Sequence, residues 1–462
     1  MQHTQQPSLF VERWDRQVST RVEWNHRRYI VLCDVLPGSR LSQAFLTQAS
    51  VRSGCVFRQW PRTAASLGVR FAAYACALLE LVREAASTTP ALIQFVVPGD
   101  EDGVVCAALS QLLLSAKREY DRLEVQTLCL SSAAPESAVA EFFDAPPLAA
   151  RQMRCTDAAV CARRFVALPI QARRAGTPWR DGGRYLVTGG TGRLGMIVAR
   201  AMAATLRCGT IVLAGRAKLS PVLADQVAAL GSGARRVEYV RADVADHEQV
   251  RSLFDAMNER YGGIDGIVHA AGVLDDGYIA RKQPAQLQGV LAPKVAGLEN
   301  LDQCHGPAPL DFLICFGSIG GALGSAGQSD YAAANAFMRS FAEWRNTRVA
   351  KATRQGRTLC IDWPYWCEGG MQLGEQVAVE MAQAGLIPLS TQDGLAALNQ
   401  AWESGASCVT VVAGDVNAIG AMLASADDLV QRATEAPTRR VLPGPRRFEP
   451  PIVGVETPYR CF

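Results

Sequence analysis

The sequence predicts an α/β protein with two sheet units, the second a doubly wound parallel sheet. Three observations point there. Apolar strand-like runs alternate with amphipathic helical stretches along most of the chain, a glycine-rich turn joins one such strand to one such helix, and the composition is that of an ordinary globular α/β protein. With 462 residues, 49% hydrophobic and 20% charged, the chain has ample material for two domains and their cores.

Composition also limits function. Basic residues number 47 and acidic ones 44, for a net charge of +3, which favours neither nucleic acid nor membrane as partner. No stretch reaches the ~20 apolar residues of a spanning helix, and the N-terminus MQHTQQPSLF has no signal-peptide core. A soluble, cytoplasmic protein is expected. The 14 cysteines form no Cys-x-x-Cys pair, and Cys33, Cys129 and Cys315 stand in apolar strands, so they read as reduced, packed thiols. With five dispersed histidines, no metal site is expected.

The first unit carries strand candidates at 28–34, 92–97, 124–130 and 164–168, with helices at 71–84 and 104–117. It has no glycine cradle. The basic, small-residue segment 171–178 is the connector.

The second unit opens on Tyr185-Leu-Val-Thr-Gly-Gly-Thr-Gly-Arg-Leu-Gly195. Residues 185–188 form a strand, Gly190-x-Gly192-x-x-Gly195 the turn, and 196–206 a helix. Glycines there let the backbone turn tightly and bring a pyrophosphate against main-chain N–H groups at the positive end of the helix. The next strand, 210–216, ends in Arg216 where an acidic residue would bond a ribose 2′-hydroxyl. A guanidinium suits a 2′-phosphate, so NADPH is expected over NADH. A third strand, 236–240, leads to Asp243, which is placed either to accept from an adenine amino group or to cap the helix running to Met257. A fourth strand covers 266–272, and His269 within it reads as a packed strand residue.

The strand 310–318 delivers Ser318, and Tyr331 begins an Ala-rich helix that carries Asn335 one turn later, on the same face. A phenol with an unperturbed pKa of roughly 10 is a natural proton donor at neutral pH, and an ammonium nearby would stabilise the phenolate. Lys294 is the candidate ammonium. Two further strands are expected at 358–363 and 409–412, with a glycine-hinged lid over 364–390 between them.

Gly189 to Gly195, Asp243, His269-Ala-Ala-Gly272, Lys294, Ser318, Tyr331 and Asn335 together resemble the short-chain dehydrogenase/reductase superfamily, and within it the ketoreductase domain of modular polyketide synthases. The superfamily's Tyr-x-x-x-Lys becomes Tyr331-x-x-x-Asn335 here, with Lys294 upstream in a Pro-Lys-Val-x-Gly setting, the exchange that marks these ketoreductases. The stretches 327–338, 362–371 and 281–283 resemble ketoreductases of synthases served by a separate acyltransferase. Leu274-Asp275-Asp276 resembles the marker of the B-type stereochemical class, and the A-type tryptophan position is Leu323.

The resemblance implies two Rossmann-like subdomains. Residues 1–175 would be a truncated, cofactor-free structural copy, 176–435 the catalytic subdomain and 436–462 a C-terminal linker. It implies NADPH held by Thr188, Gly189, Gly190, Thr191, Gly192, Arg193, Leu194, Gly195, Arg216, Asp243, Val244, Ala270, Ala271 and Gly272. Tyr331, Ser318, Lys294 and Asn335 would be catalytic, and Leu274, Asp275, Asp276, Gln328, Trp366 and Met371 would shape the substrate and its stereochemistry. The implied reaction reduces a β-ketoacyl thioester, borne on an acyl carrier protein domain, to the D-3-hydroxyacyl product, beside neighbouring synthase domains. A free-standing reductase of a small ketone would share the catalytic residues but leaves the first 170 residues without a purpose. A noncatalytic binding module would not need to keep all of Tyr331, Ser318 and Lys294.

Overall fold

The computed structural model describes residues 7–16, 24, 26–51, 54–88, 90–131, 150–155, 160–169, 176–369, 379, 381–383 and 385–425. Met371 and the rest of 370–378 within the expected lid, and the 436–462 tail, lie outside these. The described strands are β1 (Ser8–Arg16), β2 (Arg27–Val35), β3 (Cys55–Pro61), β4 (Ala91–Pro98), β5 (Leu123–Leu130), β6 (Gln152–Cys155), β7 (Val160–Ala167), β8 (Arg184–Thr188), β9 (Gly209–Gly215), β10 (Arg235–Arg241), β11 (Gly266–His269), β12 (Phe312–Ser318), β13 (Arg357–Trp363) and β14 (Cys408–Val412).

All of them join one sheet, in the order β10-β9-β8-β11-β12-β13-β14-β1-β7-β6-β5-β4-β2-β3. From β10 to β14 every pairing is parallel. Chain direction across the sheet reverses between β8 and β11, so the carboxyl ends of those two strands border the crevice where doubly wound sheets bind ligands. At the other end, β3-β2-β4-β5-β6 repeats the parallel pattern in shortened form, closed by antiparallel β7. β1 stitches the two halves together, antiparallel to β14 on one side and to β7 on the other.

The apolar runs fold as strands where the sequence predicts them. β1, β3 and β6 were not expected, and the 104–117 helix is divided into Glu101–Cys106 and Ser110–Glu119. Short edge or joint strands with charged residues, such as Glu12, Arg13 and Asp15 in β1, lack the continuous apolar signal of a buried strand.

The helix Ser329–Ala350 is the hub. Phe71 of the N-terminal helix Leu67–Ala86 meets its Phe337 edge-on at 4.9 Å, within a core that also holds Leu78, Val82, Met338 and Phe341. Buried ion pairs add to this junction: Arg339 of the same helix engages Glu12 of β1 and Asp362 of β13, and Arg163 of β7 pairs with Glu12 at 3.1 Å. Every cysteine among the described residues is a free thiol. Possible ligand atoms of Cys360, Asp362 and Cys408 gather within 4.8 Å of one another, a grouping the sequence did not suggest. Arg339 already meets the Asp362 charge. No described helix is long and apolar enough to cross a membrane.

Candidate active site

The glycine turn follows β8 directly. Gly189 adopts φ +64°, and a Cβ there would lie 2.7 Å from the Ala271 nitrogen, so only glycine lets β8 pass this close to the end of β11. A Cβ on Gly195 would lie 2.3 Å from the Gly189 carbonyl oxygen, which shows how tightly the helix Arg193–Thr205 seats on the turn. That helix begins at Gly192 with no side-chain cap and no acidic residue in its first turn, leaving N–H groups aimed into the crevice. Thr188 and His269, the last residues of β8 and β11, share a hydrogen bond of 2.7 Å between Oγ1 and Nδ1. His269 is fully buried, and burial beside Lys294 lowers its pKa to about 3, so it is a neutral packing residue at the base of the crevice.

Arg216 ends β9. Parallel register sets Arg241, the last residue of β10, opposite Gly215, and its Nε donates to the Arg216 carbonyl at 2.8 Å. Arg216, Arg241, Asp243 and Gln249 line an open pocket. Arg241 was missed in the sequence; its signal is position, one strand over from Arg216 at the same level of the sheet. Asp243 accepts the Ala245 N–H at 2.9 Å and lies 3.9 Å from Arg216 Nη1, so it organises its own turn as well as facing the pocket. Val244 is buried, its side chain against Gly297 and its carbonyl accepting from Asn300 Nδ2 at 2.9 Å.

The residues expected to donate the proton assemble on the far side of β11. Lys294, at the end of the helix Pro284–Lys294, is 3% exposed and donates to the Phe316 carbonyl at 3.0 Å. Its Nζ lies 5.8 Å from the Tyr331 ring centre, and a Cβ on Gly272 would be 3.0 Å from its Cε. The ammonium thus sits between the tyrosine and the end of β11. Burial lowers its pKa to about 8. Tyr331 is half-buried, and desolvation raises its phenol; hydrogen bonding with Asn335 and Ser318 opposes the rise, and the Asp276 charge adds to it. Asn335 is fully buried and donates through Nδ2 to the Tyr331 carbonyl at 2.7 Å. Ser318, at the end of β12, accepts the Gly320 N–H at 3.3 Å.

Of the residues expected at the substrate, Leu274 and Asp276 are exposed, and Gln328 Nε2 donates to both carboxylate oxygens of Asp276 at 3.1 and 3.0 Å. Asp275 turns away, accepting from Gln286 at 3.2 Å. Trp366 does not join this group. It is 2% exposed, stacked edge-on against Trp363 at 5.0 Å and pressed on Gly394 of the helix Thr391–Glu403, a core position chosen by its size.

The KR domain family model matches residues 183–368. A crystal structure of a ketoreductase domain from the bacillaene assembly line superposes with a TM-score of 0.81 at 31% identity, covering 91% of this chain and 100% of that one. The chain belongs to the ketoreductase domains of polyketide synthases. A ketoreductase from the first module of phoslactomycin biosynthesis in Streptomyces sp. HK803 is similar at 26% identity and TM-score 0.69, over 91% and 96% of the two chains. Polyketide synthases PksN and PksL of Bacillus subtilis are 37% and 33% identical over 77% and 90% of this ketoreductase. The chain spans only 6% and 9% of their lengths. Its fold is the ketoreductase's: a mixed sheet in two Rossmann-like parts.

Proposed function

We propose that this ketoreductase uses NADPH to reduce the β-keto group of a carrier-bound β-ketoacyl thioester to the D-3-hydroxyacyl thioester. The observation that carries the proposal is the convergence of a buried ammonium, Lys294, and a half-buried phenol, Tyr331, beside a crevice whose glycine turn and uncapped helix fit a pyrophosphate. The residues fit the cofactor: Gly189 and Gly195 let the turn close on its own backbone where a side chain would collide, and Arg216 with Arg241 supplies cationic charge where a 2′-phosphate would lie. When bound, NADPH supplies the hydride that reaches the carbonyl carbon.

The chain's residues do the rest. Tyr331 gives its phenolic proton to the carbonyl oxygen as charge develops there, and Ser318 donates a hydrogen bond to the same oxygen. Two donors aimed at the developing oxyanion stabilise the transition state more than the ground state, each typically worth about a hundredfold or more in rate. Lys294 stabilises the phenolate and holds the nicotinamide ribose, while Asn335 fixes the tyrosine's turn of helix and the relay through which the phenol recovers a proton from water. Asp276 and Gln328 face the substrate and select the face of the ketone, in keeping with the B-type resemblance.

The test mixes the purified chain, NADPH and a racemic 2-methyl-3-oxoacyl thioester on a pantetheine mimic, follows cofactor oxidation and resolves the four alcohol isomers. D-alcohol should form with wild-type protein, while Tyr331→Phe should lose at least about a hundredfold in turnover with cofactor binding kept. An L-alcohol would overturn the stereochemical assignment, and full activity in Tyr331→Phe would remove that residue from the mechanism.

A further inference from the structure

We infer that the cofactor-free half supplies a positioning residue to the reductase site, Glu119, which holds the two loops that select the ketone face. Its carboxylate accepts the Ile279 N–H through Oε2 at 2.7 Å and the Gly327 N–H through Oε1 at 2.9 Å. Ile279 lies just after Leu274-Asp275-Asp276, and Gly327 just before Gln328. One carboxylate from the end of the helix Ser110–Glu119 therefore sets the spacing between the segment bearing Asp276 and the segment bearing Gln328 and Tyr331.

Other bonds close the strap. Gly277 N–H donates to the Gly327 carbonyl at 2.8 Å, and Gln328 grips Asp276. Arg83, also from the N-terminal half, donates to the Ile279 carbonyl at 3.0 Å and to the Lys282 carbonyl. Ser115 Oγ accepts the Ser325 N–H at 3.0 Å. Lys282, 2% exposed, pairs with Asp330 at 2.5 Å and donates to the Asp275 carbonyl at 2.5 Å, and Asp330 Oδ1 accepts the Tyr331 N–H at 2.8 Å. Hydrogen bonds thus run from the structural half to the backbone of the proton donor.

The strap matters because Gly327 has no side chain to pack and is held by hydrogen bonds to its backbone. It sits at φ +74°, and a Cβ built there would touch nothing within 4 Å. The bonds to Glu119 are charge-assisted and half-buried, hence stronger and more directional than neutral ones. A carboxylate is the right group, since it accepts on both oxygens at once. An amide of the same shape would turn an N–H2 toward one of the two N–H groups.

The inference rests on the proposed reading, and one experiment separates the two. In Glu119→Gln, hydrogen exchange should quicken in segments 274–283 and 324–331, and the D-to-L alcohol ratio should fall at least about fivefold. Turnover should drop about tenfold with NADPH affinity kept, as expected when a reacting group is misplaced. Combined with Gln328→Ala, the change should add little further loss of ratio, because both act through the same strap. Glu124→Gln is the control: Glu124 pairs with Lys117 at 2.9 Å and Arg151 at 3.2 Å in the same half, so this change should cost stability and leave the ratio alone. Unchanged exchange in both segments, or ratio losses that simply multiply in the double variant, would overturn the clamp. Wild-type protein without turnover would instead sink the functional reading, the exchange result standing by itself. Should Glu119→Gln fail to fold, Arg83→Gln, which loses the two carbonyl contacts from a partly exposed side chain, reads the same segments and ratio.

Discussion

At the reversal between β8 and β11 the chain presents glycines, alanines and free helix N–H groups; at the matching reversal between β2 and β4 it presents Asp34, Arg62, Arg70 and Asp100. Asp34, fully buried at φ +55°, accepts from Arg70 at 2.5 Å and Tyr74 at 3.0 Å and lies 2.9 Å from Arg62. Arg62 continues to Asp100 at 2.7 Å, Arg70 to Asp102 at 2.7 Å, and Asp100 caps the following helix through the Gly103 N–H at 2.8 Å. One crevice is open and short of negative charge. The other is plugged by carboxylates that a pyrophosphate would meet head on. The same parallel topology therefore yields a ligand site or a brace, according to which side chains stand at the strand ends.

The comparison can be broken first at the plug. Asp34→Ala leaves two partly buried guanidiniums without their shared partner, and breaking such a network typically costs about 3–5 kcal/mol. Urea unfolding should register that loss while NADPH affinity stays within about twofold; a variant that instead gained or lost cofactor affinity would mean the first crevice takes part in binding. The reciprocal change distorts the cradle of the open crevice. Gly195→Ala pushes against the Gly189 carbonyl and should weaken NADPH at least about a hundredfold, the worth of one or two charge-assisted bonds, with the N-terminal half's unfolding unaltered. Fluorescence titration of NADPH decides it.

A smaller effect sharpens the assignment of cofactor. Arg216 and Arg241 are exposed enough that each should contribute only about tenfold toward a 2′-phosphate. Arg241→Ala should therefore lower NADPH affinity about tenfold and leave NADH nearly unchanged, so the ratio of the two dissociation constants is the quantity to measure. Equal losses for both cofactors would return Arg241 to a role in holding the Arg216 backbone.

The catalytic half was largely legible because its signals are local. The glycine run, the apolar strands and the Tyr331 helix can each be read within a dozen residues, and β8 to β14 lie where alternation placed them. What escaped was set by the sheet order. β1 gains its place from partners far along the chain, Arg241 from register with β9, and Glu119 and Arg83 from the way one half folds over the other. Trp366 illustrates the opposite error: standing at the start of the expected lid in sequence, it is drawn inward by the space that Gly394 leaves beside Trp363. A large aromatic follows the cavity that accepts it, and neighbouring residues in sequence do not reveal where that cavity lies.

Lys294 separates the halves by pH. Its folded pKa of about 8 lies below the ~10.4 of an unfolded lysine. Below pH 8 it is charged in both states and the full cost of burying the ammonium is present. As pH rises from about 8 to about 10.4 the folded state gives up the proton first, so stability should rise over that window. Turnover should move the other way, because a neutral amine no longer stabilises the Tyr331 phenolate, whereas the phenol, raised by burial, keeps its proton. The rate should fall about tenfold for each pH unit beyond the lysine's value. Profiles of kcat/KM against pH for wild type and Lys294→Met, with urea unfolding at about pH 7 and about pH 9.5, check both signs. The methionine variant should be slow, with a profile lacking that limb and no gain of stability at high pH. A limb that survives unshifted would belong to another group, and the tyrosine would be the first to suspect.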